Sequence, residues 1–190
     1  MTGFYISICS LILYLSLLDF IRFGKDAKTL KIYESDKGTT ALLSYAIIST
    51  IVLVLCSYLL NRYNILSIDN PEIFYTGLIF LVLGMTIRII AVLTLREYYT
   101  KTLKIIDTHK IISRGIYSII RHPGYLGVIT FLTGCGLLTG NLISITLIIL
   151  IVPYFYSKRI MVEEQMLLDN FKEDYKKYME RTYRLIPFIF

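Results

Sequence analysis

RHPGYLGVITFLTGCGLLTGNLISITLIILIVPYFYSKR, residues Arg121 to Arg159, holds two apolar runs closed at both ends by cations. The runs are Tyr125–Leu138 and Leu142 to about Tyr156, and only Thr139-Gly140-Asn141 joins them. A three-residue connection between helices predicts a tight antiparallel hairpin. The first run reaches only ~22 Å at the helical rise, short of the ~30 Å of a hydrocarbon core. Gly127, Gly134 and Gly136 thin it, which lets a neighbour or a ligand approach its backbone. A helix this short need not cross alone if its inner end opens into a polar cavity. The second run is interrupted by Pro153.

Three further apolar runs precede the hairpin: about Phe4 to Phe23, Thr40 to Leu60, and Ile73 to Leu95. Each is near the ~20 residues that cross a bilayer. With 55% hydrophobic residues and a mean hydropathy of +0.63, the expected fold is an all-α integral membrane protein of about five transmembrane helices. The first run has no basic residue before it and no small-x-small site after it, so a retained helix is expected in place of a cleaved signal. Cys9, Cys56 and Cys135 lie inside apolar runs without metal-ligand spacing and read as small hydrophobes.

The net charge of +6 alternates along the chain. The Arg22–Thr39 and Arg96–Pro123 loops and the tail after Tyr156 are rich in Lys and Arg, whereas the connection after the second run has only Arg62 and Thr139–Asn141 has none. The positive-inside bias then puts the N-terminus outside and the C-terminus in the cytoplasm. Cations distributed this way do not make the single basic patch of a nucleic-acid binder. The expected organisation is one membrane domain over residues 1–190. Three N-terminal spans fill 1–95, a cytoplasmic loop 96–123, the hairpin 124–159, and a C-terminal helix and tail 160–190.

From Ile160 to about Arg181 the chain reads as an amphipathic cytoplasmic helix. Leu168, Phe171, Tyr175 and Tyr178 form its apolar stripe, and charges fill the other side. Continuing the stripe backwards reaches Glu164, which puts that carboxylate on the inward face. Glu163 is four residues after Arg159, and an i,i+4 ion pair accounts for it. Pro123 suits the first turn of a helix, so Arg121 and His122 sit beside the positive end of the fourth helix. An interfacial anchor explains them; so does an anion site built on that helix end. Asp19 and Arg88, charges inside spans, are expected to pair with each other. Tyr98, Tyr99, Tyr117 and Tyr125 read as an aromatic belt. Two histidines exclude a many-His iron site, and the sequence has no P-loop, G-x-G-x-x-G after a strand, H-E-x-x-H or G-x-S-x-G. An enzyme built this way uses neither a Rossmann fold nor a metal.

DTHKIISRGIYSIIRHPGYLG resembles the signature loop of isoprenylcysteine carboxyl methyltransferases and the related membrane phospholipid methyltransferases. KRIMVEEQMLLDNFKEDYKKYMERTYRLIPF is similar to the second half of that signature: an Arg, three residues, Glu-Glu, an amphipathic stretch and a closing Arg-Leu-Ile-Pro. The likeness runs from about Lys104 to Phe188; Asp107-Thr108 stands where a Gly often precedes the His. The resemblance implies a multi-span enzyme that holds S-adenosylmethionine in a cytoplasmic pocket. By position it implies cofactor contacts from His109, Ile111, Ile112, Gly115, Tyr117, His122 and Pro123, with Glu163 or Glu164 closing the pocket. The implied acceptor is the carboxylate of an isoprenylated cysteine or a similar lipid acid, arriving from the membrane. An ionised carboxylate needs orientation more than a base, and Arg121 and Arg184 are the candidates, ahead of Arg88. Lipid amine methylation, with Glu164 helping to remove a proton, is the alternative within enzymes. A non-catalytic membrane scaffold is the alternative outside them.

Overall fold

The apolar runs become helices close to where the sequence sets them. The computed structural model describes residues 2–23, 38–95 and 111–187, with side chains over 2–15, 38–95 and 111–187. Its helices are α1 (Thr2–Phe23), α2 (Thr39–Arg62), α3 (Pro71–Leu95), α4 (Pro123–Leu138) and α5 (Leu142–Arg181), with a 3₁₀ turn at Gly115–Ser118. Helices α2, α3 and α5 are long and apolar enough to cross a bilayer, whereas α4 and the Thr2–Leu15 part of α1 are apolar but shorter. Ile48, Val52, Leu55 and Leu59 of α2 and Ile79, Val82 and Leu93 of α3 point outward. Apolar side chains on the outer face as well as the inner one are what lipid permits and water does not.

Short α4 is the centre of the bundle and packs against all four other helices. Phe131, Leu132, Val128 and Cys135 are buried there, against Leu11 and Tyr14 of α1, Val54 of α2 and Ile148 and Val152 of α5. The Tyr14 and Phe131 rings stack with centroids 4.8 Å apart. Helix α3 packs against α4 along its length, and glycine makes the approach possible. A Cβ on Gly84 would fall 2.3 Å from the Phe131 amide nitrogen and 2.6 Å from the Gly127 carbonyl oxygen. No side chain fits between these backbones, so packing here is helix on helix without spacers.

The hairpin end of the bundle is clamped by polar groups. Asn141 caps α5 by accepting from the Ser144 N–H at 3.3 Å, and its amide donates to Asn61 Oδ1 and to the Ile65 carbonyl, each at 2.9 Å. Asn61 in turn donates to the Thr139 carbonyl at 2.7 Å. Buried amides in an apolar bundle are satisfied by one another and by turn carbonyls.

The expected break near residue 160 is absent: α5 runs unbroken from the apolar hairpin through Glu163 and Glu164. Pro153 stays inside it. A proline removes one intrahelical hydrogen bond, which packed neighbours tolerate within a bundle. The interruption falls instead at Lys172, with φ 44° and ψ −117°.

Candidate active site

At the end opposite the clamp, α4 begins at Pro123, which occupies the first helical turn with His122 as its N-cap. The chain leading in, Gly115 to Arg121, folds as the 3₁₀ turn followed by a turn at Ile119 and a single bridge residue at Ile120. The tail after α5 returns to that chain. Ile120 and Tyr183 form a parallel bridge, the Tyr183 N–H donates to the Ile119 carbonyl at 2.8 Å, and the Arg121 N–H donates to the Tyr183 carbonyl at 2.8 Å. Residues about sixty apart in sequence are thereby fixed side by side.

Glu164 lies under this junction, 3% exposed. Arg121 Nε donates to its Oε1 at 2.9 Å, and Arg184 reaches its Oε2 from Nε at 2.9 Å and from Nη2 at 2.7 Å. His122 Nε2 lies 3.2 Å from Oε1; an ionised carboxylate only accepts, so Nε2 carries the proton. Arg121 also donates through Nη1 to the Met179 carbonyl at 3.0 Å and to the Thr182 carbonyl. Burial by itself would raise the Glu164 pKa. Hydrogen bonds from His122, Arg184 and Arg121 outweigh it and bring the group down from 4.5 to about 2. Glu164 stands beyond the apolar part of α5, which Lys158 and Arg159 close. Tyr175 turns toward the same carboxylates; burial first, then Glu164 and Glu163, push its hydroxyl well above the usual tyrosine range.

Glu163 has a different setting. The Tyr125 hydroxyl donates to its Oε2 at 2.5 Å and accepts from Arg159 Nε at 3.3 Å. Arg159, only 1% exposed, also donates through Nη1 to Thr39 Oγ1 at 2.6 Å and Thr40 Oγ1 at 3.3 Å, at the start of α2. The His122 and Tyr125 rings are stacked, 5.7 Å apart and 12° from parallel, and Tyr156 of α5 lies 5.4 Å from Tyr125. Tyr117 is buried and its carbonyl accepts from the Tyr178 hydroxyl at 2.7 Å. Tyr117 and Tyr125 therefore face inward and are not belt residues.

The structure brings together Tyr117, Arg121, His122, Pro123, Glu163, Glu164 and Arg184 around one junction. Gly115 is exposed beside Thr94 of α3, and Ile111 and Ile112 are half-buried on the chain leading in. His109, Tyr98, Tyr99 and the Asp19 side chain lie outside the described residues. Arg88 abuts the start of α4, its Nη1 so close to Gly124 that a Cβ there would lie 2.8 Å away. Two features escaped the sequence reading. Arg121 and Arg184 converge on Glu164, and Arg159 is buried among hydroxyls. A signal for the second was present: an arginine on the buried side of the helix one turn before Glu163. Between the 111–118 chain and the far end of α5 lies a cleft of about 570 Å³, lined by Ile111, Ser118, Phe171, Lys177, Tyr178 and Arg181 among others.

Residues 77–169, from α3 to the middle of α5, match the model of the isoprenylcysteine carboxyl methyltransferase family. A protein-S-isoprenylcysteine O-methyltransferase of Saccharomyces cerevisiae is 32% identical over 191 aligned positions, covering 94% of this chain and 78% of its own. A probable protein-S-isoprenylcysteine O-methyltransferase of Oryza sativa subsp. indica is 35% identical over 117 residues, 60% of this chain; the match spans 61% of the rice protein's length. Among solved structures, the eukaryotic intramembrane Ras methyltransferase of that family superposes with a TM-score of 0.63 at 25% identity, over 83% of this chain and 55% of the other.

Proposed function

The chain belongs to the isoprenylcysteine carboxyl methyltransferase family, and from that premise we propose that it methylates the carboxylate of an isoprenylated cysteine, or a similar isoprenoid acid, with S-adenosylmethionine as donor. The observation that carries this reading is the junction itself. A cluster of charge closed by the tail sits at the mouth of an apolar bundle, where a water-soluble donor and a lipid-borne acceptor can meet. It is an integral membrane protein by its apolar helices and its family. We place five crossings in it, with the charged junction on the cytoplasmic side because the basic loops fall there.

The residues present fit the cofactor. Glu163 offers a carboxylate to an ammonium or to ribose hydroxyls, the N-terminus of α4 favours a carboxylate, and the stacked His122–Tyr125 pair presents ring faces to a cation. Ile111, Ile112, Gly115, Tyr117 and Pro123 supply the apolar wall and backbone. When bound, the cofactor supplies a methyl group on a positively charged sulfur. The protein's task is then positional. An acceptor carboxylate is already ionised at neutral pH, so no proton has to be taken from it, and orientation with exclusion of water provides the rate. Arg121 and Arg184 are engaged by Glu164, so in this reading they hold the site together. Arg159, one turn nearer the bilayer, is engaged only by neutral hydroxyls among the partners named above, those of Tyr125, Thr39 and Thr40, and in this reading it orients the acceptor by exchanging one of them for the acceptor carboxylate.

The same geometry argues against an amine acceptor. Glu164, with both oxygens hydrogen-bonded and its pKa near 2, is a poor base for removing an ammonium proton. Isothermal titration of S-adenosylmethionine in detergent tests the cofactor site. His122→Ala and Glu163→Ala each weaken binding by at least about tenfold, and unchanged affinity in both refutes the assignment.

A further inference from the structure

Lys172 interrupts α5 with the backbone angles of the first central residue of a type II′ turn, a position that favours glycine. A lysine there is strained, and such strain persists only where the surroundings hold it. The holding contacts all lie beyond it. The Tyr178 hydroxyl reaches the Tyr117 carbonyl, Arg121 donates to the Met179 and Thr182 carbonyls, Tyr183 bridges Ile120, and Arg184 pairs with Glu164. Every one joins the segment after Lys172 to the 117–122 chain or to Glu164. The cleft between the 111–118 chain and the end of α5 has Ile111 and Ser118 on one wall and, beyond Lys172, Lys177, Tyr178 and Arg181 on the other.

We propose that residues 172–187 form a lid, hinged at Lys172 and latched by Arg184 on Glu164, that opens to admit and release the cofactor. The inference rests on the cofactor assignment made above. In the closed state the latch contacts keep the hinge strained; once the latch opens, Lys172 relaxes into ordinary helical angles and α5 straightens, carrying one wall of the cleft away. Glu164 serves both sides of the device, since it anchors the tail and adjoins Glu163, so occupancy of the site and closure of the lid are coupled. The strain makes the closed state leaky enough to exchange ligand.

Two substitutions at the hinge have opposite signs. Lys172→Gly removes the strain, favours the closed state and slows release of labelled S-adenosylmethionine by about tenfold. Lys172→Val, β-branched and ill suited to positive φ, speeds release by a similar factor. Trypsin cleavage within the arm, read without cofactor, moves in the same order: slower in the glycine variant, faster in the valine variant. A cysteine pair at Ile120→Cys and Tyr183→Cys locks the lid when oxidised, so that preloaded cofactor is retained until reductant is added. Wild-type release and cleavage rates in both hinge variants, or free exchange through the oxidised pair, overturn the lid. If the unmodified protein binds no cofactor, the proposed function falls, and the trypsin order alone then decides whether the hinge exists.

Discussion

Replacing Glu164 by Gln keeps the size of the side chain and removes its charge. The wild-type carboxylate is buried, accepts from Arg121 and Arg184 at 2.9 Å each, and has His122 Nε2 at 3.2 Å. The glutamine retains one acceptor, and its amide donors face the Arg184 donors. A depression of the pKa from 4.5 to about 2 corresponds to about 3 kcal/mol of differential interaction at neutral pH, the low end of what breaking a buried ion pair costs. Only the Arg184 share of it joins Glu164 to the tail, His122 and Arg121 lying before the hinge, so the loss of that one charge-assisted contact raises the open population of the arm by about tenfold. The assay is limited trypsin digestion in detergent, with cuts after Lys176, Lys177 and Arg181 identified by mass; when closing is fast, the rate follows the open population. A second arm uses pH. The folded pKa is lowered, so the stabilisation is complete above the unfolded value near 4.5 and disappears as pH falls through about 2. An acid-stable protease should therefore cut the wild-type arm much faster at the bottom of that window and the Gln variant equally at both ends. Cleavage of the Gln variant at neutral pH within twofold of wild type would refute the role given to Glu164.

Other outcomes follow from the same contacts. Gly84→Leu has no space between α3 and α4, where even a Cβ would meet the Phe131 and Gly127 backbones; it should cost about 1–3 kcal/mol or more, seen as a lower melting temperature and loss of the monodisperse peak in detergent. Asn141→Leu leaves the Asn61 side chain and the Ile65 carbonyl without their donor and should destabilise by about 1–3 kcal/mol while leaving cofactor affinity unchanged by titration. Tyr125→Phe removes the hydroxyl between Glu163 and Arg159 and should lower kcat/KM by about tenfold or more with little change in melting.

The helices were readable because lipid enforces a simple rule: a run of apolar residues long enough to cross has no other stable conformation. Thr139–Asn141 fixed the hairpin for the same reason. The inward direction of Glu164 was also legible, from its place on the stripe with Leu168 and Phe171. The continuity of α5 was not, because Pro153 and the change to polar sequence after Tyr156 look like an end. Packing against α2 and α4 holds the helix together there, and packing is tertiary information. The turn at Lys172 left no local mark either, since neither glycine nor proline stands at it; only the return of the tail to Ile120 imposes it. Arg121, Arg184 and Glu164 were each singled out by the sequence. Their mutual pairing depends on a junction between chain segments about sixty residues apart, which no spacing pattern encodes.

The most direct test is transfer of a radiolabelled methyl group from S-adenosylmethionine by the purified protein, offered a farnesylcysteine analogue and, in parallel, an amino lipid. Label should enter the farnesylcysteine product as an ester that alkali releases as volatile methanol, and the signal should fall sharply in Arg159→Gln. Label found only in the amino lipid, stable to alkali, or absent from both acceptors while the cofactor is bound, would contradict the account.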